Sequence, residues 1–258
     1  MPAVRSTALV LRSVDVFETS VVATLFTRSL GKVVALAKGG RRLKSPFQGG
    51  LDLLGHSDIV LLHKASEAMD LLTESAPIER FTSLRRDLAA LYAGYYVAEL
   101  LTELTDFHDP HPKLFDAAVV TLRHLGEPRF RDRRVFRFEL ACLRELGHMP
   151  VLDSCSHCGE VAVTSSEGRG TYAFGLATGG ILCPGCRPGQ PHVATLSGTT
   201  LEALRSLAAP GAGWRSLDPS PASMGPVRAT LGAVVSHLMG HRPRMLPYLA
   251  TGFGPGHA

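Results

Sequence analysis

The sequence predicts an α+β protein, in which a small N-terminal barrel of five strands precedes an α-helical domain that carries an inserted four-cysteine element. Three observations predict this class. Aliphatic and β-branched runs separated by glycines fill the first 80 residues, apolar residues then recur at helical spacing, and two CxxC pairs interrupt the helical part. A chain of 258 residues can hold one large domain or two to three small ones.

The N-terminal runs have the length of single strands and end at glycine-marked turns. The predicted strands are Thr7–Val14, Val21–Arg28, Lys32–Lys38, Asp58–His63 and Met69–Glu74. Five short strands match the oligonucleotide/oligosaccharide-binding (OB) barrel, which often binds single-stranded nucleic acid on one face. Strand count alone also allows an SH3-like barrel. We expect this domain to cover residues 1–80.

After Pro77 the apolar residues follow the period of a helix. A long amphipathic helix is predicted from Thr82 to Leu104, and a turn rich in Asp, His and Pro ends it. Further helices are predicted over Lys113–Leu125, Arg133–Leu146, Leu196–Ala208 and Val227–Met239. We therefore expect a helical domain in two parts, residues 81–150 and 195–250, with an insertion between them at residues 151–194. A flexible tail is expected at residues 251–258.

Positive charge is concentrated near the start of the chain. No acidic residue occurs between Glu18 and Asp52, whereas six basic residues do: Arg28, Lys32, Lys38, Arg41, Arg42 and Lys44. Four of them lie in a glycine-containing segment, residues 38–44, called here the basic loop. A charge run is often only solvated surface, but a flexible cationic loop between strands favours contact with the phosphates of a nucleic acid. Phe26 or Phe47 could stack on bases if exposed.

Two further basic groups lie downstream. The first opens a predicted helix, where arginines oppose the helix dipole, so a bound phosphate or an acidic partner would be favourable there. It consists of Arg129, Arg131, Arg133, Arg134 and Arg137. The second surrounds apolar residues near the C-terminus and fits either an acidic-hydrophobic peptide site or an ordinary bundle face. It consists of Arg228, His237, His241, Arg242 and Arg244.

The pairs Cys155/Cys158 and Cys183/Cys186 are separated by 24 residues. Two CxxC turns supply the four thiolates of a structural zinc site, and the glycine-rich segment between them fits a hairpin, so a zinc ribbon is predicted. Two disulfides or free thiols are the alternative. Four cysteines close the zinc shell, which disfavours hydrolysis. His157 and His192 are interpreted as surface residues, and Cys142 as a buried thiol.

Several functional classes lack support in the sequence. No G-x-x-x-x-G-K-[ST] or G-x-G-x-x-G motif is present, which argues against ATP-driven chemistry. The first 30 residues contain Arg5, Arg12, Asp15 and Glu18, so no secretory signal is predicted, and no apolar run has the length of a membrane span. We expect a cytosolic, non-enzymatic protein.

In the order of its motifs, the chain resembles one family, the bacterial DNA repair and recombination mediator RecO. The N-terminal part of the resemblance lies in Phe17-Glu18-Thr19-Ser20, Leu25-Phe26-Thr27, Gly31, Ala37-Lys38-Gly39-Gly40-Arg41-Arg42 and Ser45-Pro46-Phe47. The remainder lies in Tyr96-Val97-Ala98-Glu99-Leu100, Phe136-Arg137-Phe138-Glu139-Leu140, Gly147-His148-Met149-Pro150 and the two CxxC pairs. The segment from His241 to Leu246 follows the family's basic close only loosely.

The resemblance implies an OB barrel, a helical domain and one structural zinc ion held by the four cysteines. It implies a cytoplasmic, nucleoid-associated protein that binds single- and double-stranded DNA, anneals complementary strands and acts with RecR to load RecA onto DNA coated by single-stranded-DNA-binding protein. By position, the basic loop would contact DNA. The alternative from the residues alone is a zinc-ribbon and OB-fold RNA-binding or transcription factor. A metal-dependent hydrolase is the third class.

Overall fold

A computed structural model of the chain describes residues 3–42, 45–47, 49–62, 69–161 and 170–250, except for the side chain of Ala250. The chain divides into two compact units. The first contains the chain up to Gly126 and again from Tyr248, and the second is Glu127–Pro247. Three predicted features lie outside the described residues: the tail, the end of the fourth predicted strand at His63, and Lys44 of the basic loop.

Five strands form a closed barrel in the first unit, in the order β1-β2-β3-β5-β4. They are β1 (Ala3–Val16), β2 (Ser20–Thr27), β3 (Gly31–Ala37), β4 (His56–Leu62) and β5 (Asp70–Glu79). β1 pairs with both β2 and β4, and β3 pairs in parallel with β5. This arrangement confirms the predicted α+β class with an N-terminal OB barrel.

Alternation of side chains builds the barrel core. In β2, Val21, Ala23 and Leu25 are buried in the barrel interior, whereas the intervening Val22 faces outward and is half-buried. In β3 the same pattern holds for buried Ala35 and half-buried Leu36. Alternate residues of each strand therefore fill the barrel core, while the residues between them lie on its outer face.

The predicted helix from Thr82 is interrupted in the structure. Residues Thr82–Arg86 form a short 3₁₀ turn, and α1 begins only at Leu88 and runs to Leu104. Asp87 between them is extended, and its carboxylate accepts hydrogen bonds from the backbone N–H groups of Ala89 and Ala90. Because an aspartate in this position caps a helix start, it separates the two segments.

Helix α2 (Pro112–His124) packs against one end of the β2–β3 hairpin. The ring of Phe26 lies 6.2 Å from that of Phe115, centroid to centroid. Gly31, at the hairpin turn, has a φ of +70°, and a Cβ there would lie 2.3 Å from the backbone oxygen of Asp109. Only glycine fits this close approach.

The second unit combines helices with a three-stranded sheet of order β7-β6-β8. Its elements are α3 (Arg131–Glu145), β6 (Thr171–Gly175), β7 (Gly180–Leu182), β8 (Val193–Ser197), α4 (Gly198–Ala208) and α5 (Pro221–Met239), and α6 (Leu246–Ala250) follows. Leu196, predicted to start a helix, lies in β8, because Ser197 caps α4 through the N–H of Thr200 at 3.1 Å. Helix α5 starts at Pro221, earlier than the predicted Val227.

The cysteine-containing insertion shares its core with the helices of this unit. Phe174 and Ile181 of the sheet are buried in one apolar cluster with Phe136, Leu204 and Trp214. The insertion therefore contributes apolar side chains to the domain as well as thiols. Among the described residues, no helix is both long and apolar enough to span a bilayer.

Candidate nucleic-acid interface and metal centre

The described part of the basic loop follows β3 and is fixed to the barrel by its backbone. The N–H of Gly40 donates to the carbonyl of Ala37 at 3.3 Å and that of Arg42 to Gly39 at 3.0 Å, which forms a tight turn. The N–H of Arg41 donates to the carbonyl of Thr19 at 3.0 Å. That last bond joins the basic loop to the turn between β1 and β2.

Lys38, Arg41 and Arg42 are all exposed. The guanidinium of Arg41 lies 3.4 Å from the carboxylate of Asp15, an exposed ion pair of small stabilising effect. With exposed Glu18 and buried Asp70 at the start of β5, this end of the barrel carries three cations and three acidic residues before Lys44 is counted. The cationic side chains remain accessible to a phosphate backbone.

Lys32 does not belong to this surface, which corrects its predicted role in DNA binding. Its side chain is buried, at 6% exposure, and its ammonium donates to the carbonyl oxygens of Thr102 and Thr105 at the C-terminal end of α1. A cation at a helix C-terminus satisfies carbonyls that have no partner within the helix. Burial lowers the pKa of Lys32. The residue stabilises the fold.

Arg28 is exposed but lies at the opposite end of the β2–β3 hairpin from the basic loop. Thr27 pairs with Gly31 at one end and Val21 with Ala37 at the other, so the two ends are about 20 Å apart. Arg28 forms two hydrogen bonds with Asp116 at 2.9 and 3.0 Å, and this guanidinium lowers the pKa of the carboxyl. Among the predicted contact residues that the structure describes, Lys38, Arg41 and Arg42 are therefore the ones that lie together.

The two phenylalanines considered for base stacking are buried, Phe26 at 0% and Phe47 at 3% exposure. Neither can stack on a base. Phe17 has the opposite environment, because the residue is 88% exposed in the turn between β1 and β2. The sequence pattern offers one signal for it, an aromatic residue placed between two strand segments.

The arginines at the start of α3 serve mainly to stabilise the second unit. Arg133 is 2% exposed, and its guanidinium donates to the carbonyl oxygens of Arg215, Leu217 and Arg129 at 2.7, 2.7 and 2.6 Å. Burial, and then the charge of Arg129, lower the pKa of Arg133. These contacts correct the predicted second DNA or partner site at Arg133.

The other members of that group differ in accessibility. Arg134 is mostly buried and pairs with Glu127 at 2.9 Å. Arg137 donates to the carbonyls of Leu207 and Ala209. Arg131 is half-buried and Arg129 is exposed. Carbonyl groups of the second unit therefore compensate much of the positive charge at the start of α3, for which the sequence predicted a bound phosphate or acidic partner.

The members of the third basic group, near the C-terminus, also differ in their environments. Arg228 is mostly buried, pairs with Asp132 at 2.8 Å and lies over the ring of Phe136 at 4.9 Å. His237, His241, Arg242 and Arg244 are exposed. Arg228 therefore fits the bundle-face interpretation.

The four paired cysteines meet at one point. The sulfur atoms of Cys155, Cys158, Cys183 and Cys186 all lie within 4.8 Å of one another. The Sγ atoms of Cys158 and Cys183 are 3.8 Å apart, close to the edge of about 3.8 Å that a tetrahedron with Zn–S bonds of about 2.3 Å requires. These residues fit a four-thiolate metal centre.

Local backbone geometry favours ionised sulfur at Cys155, whereas hydrogen bonds with Cys183 and Cys158 raise the pKa of the Cys186 thiol to about 12, and the pKa of Cys158 is also raised. Each CxxC turn closes through its own hydrogen bond, from the N–H of Gly159 to the carbonyl of Cys155 at 2.9 Å and from that of Cys186 to Cys183 at 3.1 Å. The backbone N–H of Cys158 is the largest of the causes that lower the pKa of Cys155 to about 6. Metal ligation requires the thiolate form.

Other thiol and imidazole groups remain outside the cluster. His157 and His192 are exposed, as predicted. Cys142 is 1% exposed, and burial raises its pKa, so it is the inert buried thiol that the sequence suggested.

Comparisons with known proteins agree on one family. Family models described as "Recombination protein O N terminal" and "Recombination protein O C terminal" match residues 1–81 and 85–246. A protein named DNA repair protein RecO from Rhodopirellula baltica is 40% identical, with 94% of this chain and 97% of its own length covered. Proteins of the same name from Anaeromyxobacter dehalogenans strain 2CP-C and Bacillus pumilus are 35% and 30% identical. The alignment with the Anaeromyxobacter protein covers 94% of each chain. The alignment with the Bacillus protein covers 78% of this chain and 75% of the relative. The chain therefore belongs to the RecO family of DNA repair proteins.

Proposed function

We propose that this protein is a DNA-binding recombination mediator that anneals complementary single strands during DNA repair. One observation carries the proposal. A chain of the RecO family presents an exposed cationic turn, Lys38, Arg41 and Arg42, that is hydrogen-bonded to the turn between β1 and β2 of an OB barrel. OB barrels commonly bind nucleic-acid strands through such loops and the adjoining strands.

Phosphate contact is the physical basis of binding. Ammonium and guanidinium groups displace condensed counterions from a DNA strand, so affinity depends steeply on salt and weakly on sequence. Annealing follows because a bound protein screens the repulsion between two strands while their bases remain free to pair. No covalent bond is made or broken, and we propose a non-enzymatic role.

Membership of the RecO family supports the partner assignments. We propose that the protein acts with RecR to promote loading of RecA onto single-stranded DNA coated by single-stranded-DNA-binding protein. Cytoplasmic, nucleoid-associated localisation is proposed on the same basis.

We further propose that one zinc ion binds Cys155, Cys158, Cys183 and Cys186. The tetrahedral sulfur spacing and the closed turns support it. A zinc ion held by four thiolates has no open position for substrate, so its role is to join the two CxxC turns across the sheet. The same ion stabilises the core that Phe174 and Ile181 share with the helices.

The proposal is tested with a triple variant, Lys38→Ala, Arg41→Ala and Arg42→Ala. Binding to single-stranded and duplex oligonucleotides and the rate of strand annealing should all fall relative to the unmodified protein. A control variant removes the same charge from exposed positions of the same unit outside the loop, at Arg85, Arg86 and Lys113. Equal loss in both variants, or none in either, would contradict a DNA site at the basic loop.

An RNA-binding role is the second candidate, because an OB barrel that reads RNA also presents cations to phosphates. Competition separates the two. Addition of unlabelled RNA should displace bound DNA no better than DNA of the same sequence, and complementary DNA strands should anneal faster with protein than without. Preferential displacement by RNA together with absent annealing would favour the RNA-binding assignment.

A further inference from the structure

Phe17 is the most exposed of the large apolar side chains in the part of the chain that the structure describes. It occupies the turn between β1 and β2 with a φ of 54°, a left-handed conformation that is costly for a residue with a side chain. An exposed aromatic ring in a strained turn is a feature that folding alone does not favour. A ligand for the ring would account for it.

The ring borders a hollow of about 390 Å³ on the outer face of the barrel. Its floor follows the strand pairing, because Val22 pairs with Leu36 and Leu36 pairs with Leu71 across β2, β3 and β5. These three side chains face outward and are only half-buried. Val16, Phe17, Lys38, Met69 and Asp70 complete the lining. The hollow is therefore largely apolar, with the exposed cation of Lys38 at its edge and the buried side chain of Asp70 in its lining.

Charge indicates the kind of occupant. Lys38 belongs to both the hollow and the basic loop, and Arg41 of that loop is hydrogen-bonded to Thr19 of the turn that carries Phe17. A ligand that fills this place needs a flat apolar part joined to an anionic part. A nucleotide of an unpaired strand has both, since its base stacks on an aromatic ring while its phosphate binds a nearby cation.

We propose that Phe17 stacks on an unpaired base of single-stranded DNA, which lies over the hollow while Lys38 and Arg41 bind the flanking phosphates. The inference rests on the proposed function and adds a contact that distinguishes strands from duplexes. In a duplex the bases are already paired and stacked, so Phe17 contributes nothing to its binding. The basic loop contributes to both.

The test compares affinities of Phe17→Ala, Phe17→Trp and unmodified protein for a 20-nucleotide oligonucleotide strand and for its duplex. Loss of one stacked base weakens single-strand binding on the order of 5-fold to 100-fold, and we expect Phe17→Ala to show such a loss with unchanged duplex affinity. Phe17→Trp should restore the affinity. Ile78→Ala, at another exposed apolar position of the barrel, is the matched control and should bind both ligands normally.

Fluorescence supplies a readout that does not depend on affinity. The chain contains one tryptophan, Trp214, which is buried in the second unit. In Phe17→Trp the added indole should be quenched by a saturating single strand and not by duplex, whereas the unmodified protein should show little quenching.

The outcomes separate the two proposals. If the unmodified protein binds no DNA, the proposed function fails. If it binds DNA but Phe17→Ala binds the single strand as tightly as the unmodified protein, only the stacking inference is overturned. Equal loss for single strand and duplex would also overturn it. Loss of folding in Phe17→Ala would be seen in its thermal unfolding, and Phe17→Leu, which keeps the apolar bulk without the aromatic face, then provides the comparison.

Discussion

The ammonium of Lys32 donates a hydrogen bond to the carbonyl oxygen of Thr105, the residue that follows the last turn of α1. A second bond reaches the carbonyl of Thr102. One basic residue of the segment between Glu18 and Asp52, which has no acidic residue, therefore anchors α1 to the barrel of the first unit.

Replacement of Lys32 by methionine should lower the free energy of unfolding by about 1–3 kcal/mol, because buried carbonyls lose a charged donor. DNA affinity of the folded variant should stay unchanged. Urea unfolding and oligonucleotide titration measure the two effects. Lys38→Met is the matched control and should show the reverse, with native stability and weaker binding. If Lys32→Met were stable and bound DNA weakly, Lys32 would contribute to the DNA site after all, which would contradict its structural role.

Arg133 should be essential for the stability of the second unit. Arg133→Met leaves the carbonyls of Arg129, Arg215 and Leu217 without their donor, which should cost roughly 3–5 kcal/mol. Arg129→Met in the exposed neighbouring position should change stability by less than about 0.5 kcal/mol. Chemical denaturation of both variants checks the difference. A stable Arg133→Met protein with impaired DNA binding would support the original sequence-based role.

The cysteine cluster should hold one metal ion per chain, and Cys158→Ser or Cys183→Ser should release it and lower the melting temperature, since metal binding is coupled to folding. Cys142→Ser should retain the metal, because that thiol is buried away from the cluster. Metal analysis after dialysis, with thermal unfolding in parallel, provides the measurement. Metal-free protein of undiminished stability would contradict the zinc assignment.

Asp218 should titrate far below an ordinary aspartate. Hydrogen bonds from the hydroxyls of Ser220 and Ser223, before the other causes, lower its pKa to about 2. A depressed carboxyl pKa stabilises the fold above the unfolded value of 3.8, and this stabilisation is lost as the pH falls from about 3.8 to about 2. Carboxyl NMR titration measures the pKa directly. An Asp218 pKa near 4 would contradict the hydrogen bonds from Ser220 and Ser223 to this carboxylate.

Local pattern was sufficient to predict the barrel. Alternating apolar residues and glycine turns identified all five strands in order, and their ends differ by a few residues. Helix spacing located α2, α3 and α4 in the same way. The break at Asp87 escaped this reasoning, because an aspartate inside an apolar pattern is also compatible with the exposed face of one continuous helix.

The environment of charged residues depends on distant parts of the chain and could not be predicted in this way. Lys32 contacts residues about 70 positions away in the sequence, with separations of 70 and 73, and Arg133 contacts residues 82 and 84 positions away. Composition marks such residues as surface cations, whereas tertiary contacts bury them. The CxxC spacing was informative because each pair of thiols is brought together locally and only one long-range contact remains.

The salt dependence of DNA binding tests the central claim most directly. For a single strand, the slope of log Kobs against log salt concentration changes by about 0.7 for each phosphate contact that is lost. The variant lacking Lys38, Arg41 and Arg42 should therefore bind more weakly and show a slope shallower by up to about 2. An unmodified affinity and slope in that variant would contradict the assignment of the basic loop as the DNA-binding surface.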